Sequence, residues 1–281
     1  MNLIKIGDFN RLKVLRKLDF GYYLGDANDN TSNDILLPSK STLGTELNIG
    51  EEVEAFIYKD SNDRLISTLR KPLAKVGELA YLKVVSTTGI GSFVDFGLEK
   101  DILVPFKEKL YPLQIGECYL FYIYIDKTGR IAATTYIDRY LQTADKYKVG
   151  DAVKGTVYGI QPSESIIVAV DNKYRGIILH NEYFTKIRNG EVLELTVIKI
   201  YEDGKLGLTT RKSSRIEVGD FQEVILDYLN THGGSMPFND KSSPEKIYEK
   251  FKVSKNHFKQ SLGGLMKKNL IEQDENGTRL K

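Results

Sequence analysis

Short apolar runs between glycine-containing turns recur three times in the first 210 residues, in a fixed order. Each copy has a brief apolar strand: Ile35-Leu36-Leu37-Pro38, Ile102-Leu103-Val104-Pro105 and Ile177-Ile178-Leu179-His180. Past a loop comes a glycine followed by glutamate: Gly50-Glu51, Gly116-Glu117 and Gly190-Glu191. A basic residue (Arg64, Arg130, Lys205) then opens a strand that ends in Thr68, Thr134 or Thr209, at offsets of 14, 14 and 15 from the glycine. A period of roughly 70 residues exceeds the ~20–50 of solenoid units. It predicts three tandem copies of a small β domain.

The second copy shows the pattern most clearly. Strands are expected over residues 79–85, 93–96 (after the Gly89-Ile90-Gly91 turn), 102–104, 118–125 and 131–136 (after the Lys127-Thr128-Gly129 turn). Five short strands with a longer excursion between the third and fourth suit a small closed Greek-key barrel. Aligning the three glycines superimposes Val53, Ala55, Ile57 on Tyr119, Phe121, Ile123 and on Leu193, Leu195, Val197, which predicts the inward face. The opposite face carries Glu54, Phe56, Tyr58, then Leu120, Tyr122, Tyr124, then Glu194, Thr196, Ile198. Its aromatic residues suit either stacking platforms or packing between adjacent barrels.

After Arg215 the period changes. Apolar residues at 221, 224, 225, 228 and 229 form a helical stripe ending before Gly233-Gly234. Pro244 suits the first turn of a second helix. Ser254 can cap a third, with Phe258, Leu262, Leu265 and Met266 on one face, and a hairpin turns at Asn276-Gly277. Three helices and a hairpin are the order of a winged helix, with a helix-turn-helix joint at Val253-Ser254. The expected division is barrels at 1–70, 71–142 and 143–213 and a winged-helix domain at 214–281. The fold class is thus multidomain and mainly β, three OB-type barrels followed by an α+β domain.

Net charge is only +2, so whole-chain electrostatics announce no polyanion partner. The charge is uneven, however: residues 241–268 hold eight lysines against Glu245 and Glu249. The single cysteine, Cys118, precludes an intrachain disulfide and reads as a small buried hydrophobe. No signal peptide or membrane-length apolar run is evident, so a cytoplasmic protein is expected. His180, His232 and His257 lie far apart, with no His-x-x-x-His or Cys-x-x-Cys spacing and no phosphate-binding glycine loop. No enzyme activity, metal or cofactor is therefore expected.

The barrels resemble S1 domains, the RNA-binding branch of the OB-fold. Phe20-Gly21-Tyr22-Tyr23-Leu24 is similar to the S1 pattern Phe-Gly-Ala-Phe-Val, and Gly91-Ser92-Phe93-Val94 to its second half. Gly176 to Glu182 is similar to Gly-Leu-Val-His-x-Ser-Glu, and Asp60 with Arg64 and Asp126 with Arg130 match the Asp-x-x-x-Arg hairpin. Three such domains before a winged helix resemble the conserved virulence factor B family (CvfB/YitL-like). That resemblance implies RNA binding and a role in regulating gene expression.

It also implies the site. RNA would meet Phe20, Tyr23, Asp60 and Arg64 in the first copy, Phe93, Asp126 and Arg130 in the second, and His180 and Lys205 in the third. Pro38 and Pro105 stand where the family has histidine, and Ile90 where it has an aromatic residue. In the third copy the aromatic segment is missing, and Tyr158 is the nearest ring. Lys255, Lys259, Lys267 and Lys268 would add a basic contact from the winged helix, with single-stranded RNA as partner and a monomer as the working form. A DNA-binding regulator is the alternative, with Asn256, His257 and Gln260 as base readers beside those lysines. The winged helix could equally dock a protein.

Overall fold

The first barrel is built from β1 (Phe9–Leu18), β2 (Gly21–Gly25), β3 (Ile35–Pro38), β4 (Glu52–Lys59) and β5 (Leu65–Thr68). The second is built from β6 (Leu79–Thr88), β7 (Gly91–Val94), β8 (Ile102–Pro105), β9 (Cys118–Ile125) and β10 (Ile131–Thr134). The third uses β11 (Ala152–Ile160), β12 (Ile166–Val170), β13 (Tyr174–Ile178), β14 (Val192–Ile200) and β15 (Leu206–Thr209). Each closes in the order first-second-third-fifth-fourth, with only the third and fifth strands parallel. This computed structural model describes residues 4–25, 34–183, 185–210, 214–251 and 253–281. The expected boundary at Ser213 falls outside them.

The recurring Gly-Glu pair has a mechanical cause. In every barrel the first strand carries a register shift just past a valine: Val14, Val84 or Val157. Gly50, Gly116 and Gly190 donate their N–H groups to those valine carbonyls at 2.7, 2.8 and 2.8 Å. The following glutamate carbonyl accepts the same valine's N–H, at 2.9 Å in each copy. The turn needs the left-handed backbone, with φ of +87°, +91° and +85°, which glycine adopts without steric cost. The pair therefore fixes the bulge that lets a five-stranded sheet bend into a barrel.

Inward residues follow the predicted alternation. Val53, Ala55 and Ile57 lie in the first core, Tyr119, Phe121 and Ile123 in the second, and Leu195 and Val197 in the third, with Leu193 packed at its edge. The opposite face resolves in favour of packing between barrels. Phe56 and Tyr58 of β4 are buried in the second barrel's cluster, Phe56 lying 5.4 Å from Phe9 and 6.4 Å from Phe96 between ring centres. Leu120 of β9 is buried with Tyr158 and Ala169 of the third barrel, while Tyr122 stacks on Tyr140 at 3.3 Å. Burial pushes the pKa of Tyr124, on the same face, up to about 12. In the first two barrels the fourth strand's outer face is thus spent on the next barrel, whereas Glu194 and Ile198 of β14 are exposed. The barrels together form one compact unit, and residues 211–281 form a second.

The second unit runs α1 (Ser214–Thr231), β16 (Ser235–Met236), α2 (Pro244–Phe251), α3 (Lys255–Lys267), β17 (Ile271–Asp274) and β18 (Gly277–Leu280), with sheet order β16-β18-β17. This is a winged helix. The Ser254 hydroxyl accepts the His257 N–H at 3.2 Å and caps α3 as expected. Phe258, Leu262 and Leu265 are buried against Phe221, Ile225 and Leu229. Met266 departs from expectation: it is exposed, one position past the stripe, where its sulfur meets the Gln273 amide at 3.5 Å. Among the described residues, no helix is long and apolar enough to cross a membrane.

Candidate nucleic-acid interface

Strand register builds one row across the outside of each barrel. In the first, Arg16 pairs with Tyr23, Tyr23 with Leu36, and Leu36 with Ile66. These side chains point outward because their neighbours Tyr22, Leu24 and Leu37 fill the core. The Arg16 guanidinium sits 4.3 Å from the Tyr23 ring centre and 2.9 Å from the Asp34 carboxylate. At one end of the row, Arg64 donates Nε and Nη2 to Asp60 Oδ2 at 3.0 and 2.8 Å. Asp60 Oδ1 takes the Asn62 and Arg64 backbone N–H groups. Burial pushes the Asp60 pKa up, but these hydrogen bonds outweigh it and hold it below the usual value. Tyr23, Leu36, Asp60 and Arg64 line one cleft of about 290 Å³. Phe20, 56% exposed, stands at the other end of β3, its carbonyl accepting the Ser39 N–H at 3.0 Å.

In the second barrel the row is Ser86, Phe93, Leu103 and Ala132. Phe93 is half-buried, and Ile90 is exposed in the place of Phe20. The hairpin departs from expectation. Asp126 Oδ1 accepts the Thr128 N–H and hydroxyl and the Arg130 backbone N–H. Burial raises its pKa, these bonds lower it, and the net shift is downward. The Arg130 side chain, however, leaves its own hairpin. Its Nε donates to Asp63 at 2.8 Å and its Nη2 to the Ser61 carbonyl at 3.1 Å, both in the first barrel.

The third barrel offers Gly159, Ile167, Ile177 and Gly207, a row without a ring. Ile167 packs into the junction with the second barrel. Tyr158 is buried there too; its hydroxyl donates to Asp138 at 2.7 Å, and burial pushes its pKa up. It is a structural residue and no stacking platform. His180 is exposed at the start of a short 3-10 turn. Lys205 pairs with Asp203 at 3.5 Å beside the Tyr201 ring. With Ile178 level with Leu208, His180 and Lys205 stand about 16 Å apart along the strands. The fold does not bring them together.

On α3, Lys259 and Lys267 are exposed and Lys255 is half-buried. Lys268 donates to Gln222 Oε1 of α1 at 2.8 Å, so it ties helices together. The His257 ring packs edge-on to Phe221 at 5.4 Å, away from a base-reading role. Two features escaped the sequence. Arg16 could be found only through the hairpin register that sets it beside Tyr23. Phe106, half exposed, follows Pro105 directly, and Lys109 Nζ lies 4.2 Å from its ring while donating to Ser92 at 3.0 Å. Burial lowers the Lys109 pKa. Among the described residues, no group of three His, Cys, Asp or Glu side chains could hold a metal ion.

Three closed five-stranded barrels and a winged helix define a tandem S1/winged-helix protein. An S1 domain model matches residues 6–70, and a CvfB-like winged helix domain model matches residues 223–280. The chain is 34% identical over 278 residues to the uncharacterized protein YitL of Bacillus subtilis, covering 95% of this chain and 90% of the relative. It is 28% identical over 276 residues to conserved virulence factor B of Staphylococcus aureus, covering 95% and 91%. A crystal structure from Streptococcus pneumoniae, described as a multidomain protein with nucleic acid binding domains, superposes with a TM-score of 0.53 at 26% identity, covering 98% of both chains. The chain belongs to the conserved virulence factor B family.

Proposed function

We propose that this protein binds single-stranded RNA across the outer faces of its first two barrels, without catalysing a reaction. The observation that carries this reading is the first barrel's row, with Tyr23 and Leu36 outward, Phe20 exposed at one end and Asp60–Arg64 at the other. Rings accept any base by stacking, at ~1–3 kcal/mol per base, and an arginine beside them meets phosphate. The description of the Streptococcus pneumoniae structure supports a nucleic-acid partner. Each barrel lacks part of the S1 set, so affinity per site is weak and is gained by engaging several sites on one strand. Base specificity is low. A monomer acting in the cytoplasm to regulate gene expression after transcription fits this chemistry.

Competition titration tests it. A labelled 15-mer of oligouridylate is titrated with the full chain, then challenged with single-stranded DNA and with duplex DNA, across a salt series. The expected result is competition by the single strands and little by the duplex. Duplex preference that is lost in a Lys255→Gln, Lys259→Gln, Lys267→Gln variant would replace this reading with a DNA-binding winged helix.

A further inference from the structure

The two Asp-x-x-x-Arg hairpins are sited side by side, and they are clasped. Arg130 reaches out of the second barrel to Asp63 and the Ser61 carbonyl. Lys59 of the first barrel reaches back, donating Nζ to the Thr128 carbonyl at 2.7 Å. Lys100 of the second donates to the Ser61 hydroxyl at 2.9 Å. Arg64 completes the set, 69% exposed at its side chain and held from one side by Asp60. Four cations from two barrels therefore meet at two hairpin tips. The hairpins themselves carry the carboxylates Asp60, Asp63 and Asp126, and Glu99, beside Lys100, is engaged by Lys40. Asp60 and Asp126 are consumed by turn N–H groups. Asp63 differs: its side chain is 56% exposed and pairs with Arg130, itself 44% exposed.

We propose that this joint is a phosphate-binding site for single-stranded RNA, made by both barrels together, in which Asp63 occupies the place of a phosphate on Arg130 until RNA arrives. The inference rests on the RNA-binding reading above and extends its phosphate contact from Arg64 across the joint to Arg130. An exposed pair such as Asp63–Arg130 contributes little to stability, so an incoming phosphate displaces the carboxylate at small cost. The guanidinium fork then takes two phosphate oxygens in place of one carboxylate and one carbonyl. The strand leaving Arg64 on the first barrel passes directly onto Arg130, so the two weak sites become one track. Asp63 thereby lowers affinity for short or weakly held strands.

The test is Asp63→Asn in the full chain. Asparagine tolerates the left-handed backbone that Asp63 adopts, φ +61°, so the turn survives. Removing the carboxylate should tighten binding of the 15-mer about fivefold, the equivalent of ~1 kcal/mol for the released pair. Asp145→Asn, an exposed carboxylate elsewhere, controls for net charge. Asp63→Asn with Arg130→Gln should abolish the gain. Asp63→Asn behaving as Asp145→Asn, with wild-type binding intact, overturns the joint and leaves the RNA reading standing. Absence of binding by wild type and variant alike overturns both.

Discussion

Alanine at both Phe20 and Tyr23 should weaken oligouridylate binding by at least about 30-fold. Each ring is worth ~1–3 kcal/mol to a stacked base, and ~1.4 kcal/mol is tenfold in affinity. The folded state should survive. Phe20 is exposed at a hairpin turn, and Tyr23 faces outward while its neighbours Tyr22 and Leu24 hold the core. Fluorescence anisotropy gives the affinity and a urea transition in parallel gives the stability. Unchanged affinity in a stable variant would remove these rings from the interface. A collapse of stability would show that they support the barrel.

The second large effect lies in the joint between the first two barrels. Phe56→Ala should cost ~3–5 kcal/mol, as truncation of a fully buried phenylalanine does when its surroundings relax only in part. Phe56 touches Phe9, Tyr58 and Phe96 and belongs to the second barrel's core although β4 is in the first. The loss should therefore appear as one lowered urea midpoint for both barrels, read from hydrogen exchange in β4 and β9 together. Exchange that rises in one barrel alone would show that the joint does not couple them. Barrels of about 70 residues are near the lower limit for a self-sufficient core, so shared burial of this kind explains why they are packed in series.

The barrels were legible because their pattern is mechanical. Gly50, Gly116 and Gly190 recur since one bulge geometry demands them, and inward residues alternate since the barrel has one inside. The outer face was not legible in the same way. Phe56 and Tyr58 carry the composition of a stacking platform, and only the position of the next barrel shows that they are buried. Arg130 matched a hairpin motif in sequence, yet its side chain answers to Asp63, a residue 67 positions away that no local spacing reveals. Tyr158 looked like the third barrel's missing ring and proved to be the floor of a junction, fixed by Asp138. Alternation tells which way a side chain points, but what lies there depends on tertiary neighbours.

The most direct measurement is photo-crosslinking of a 15-mer containing 4-thiouridine to the full-length protein, with the attached peptides located by mass spectrometry. Attachment within residues 16–23 and 90–109, and at the hairpin tips 60–64 and 126–130, is the predicted result. Attachment confined to residues 255–268, with the barrels unlabelled, would contradict the account.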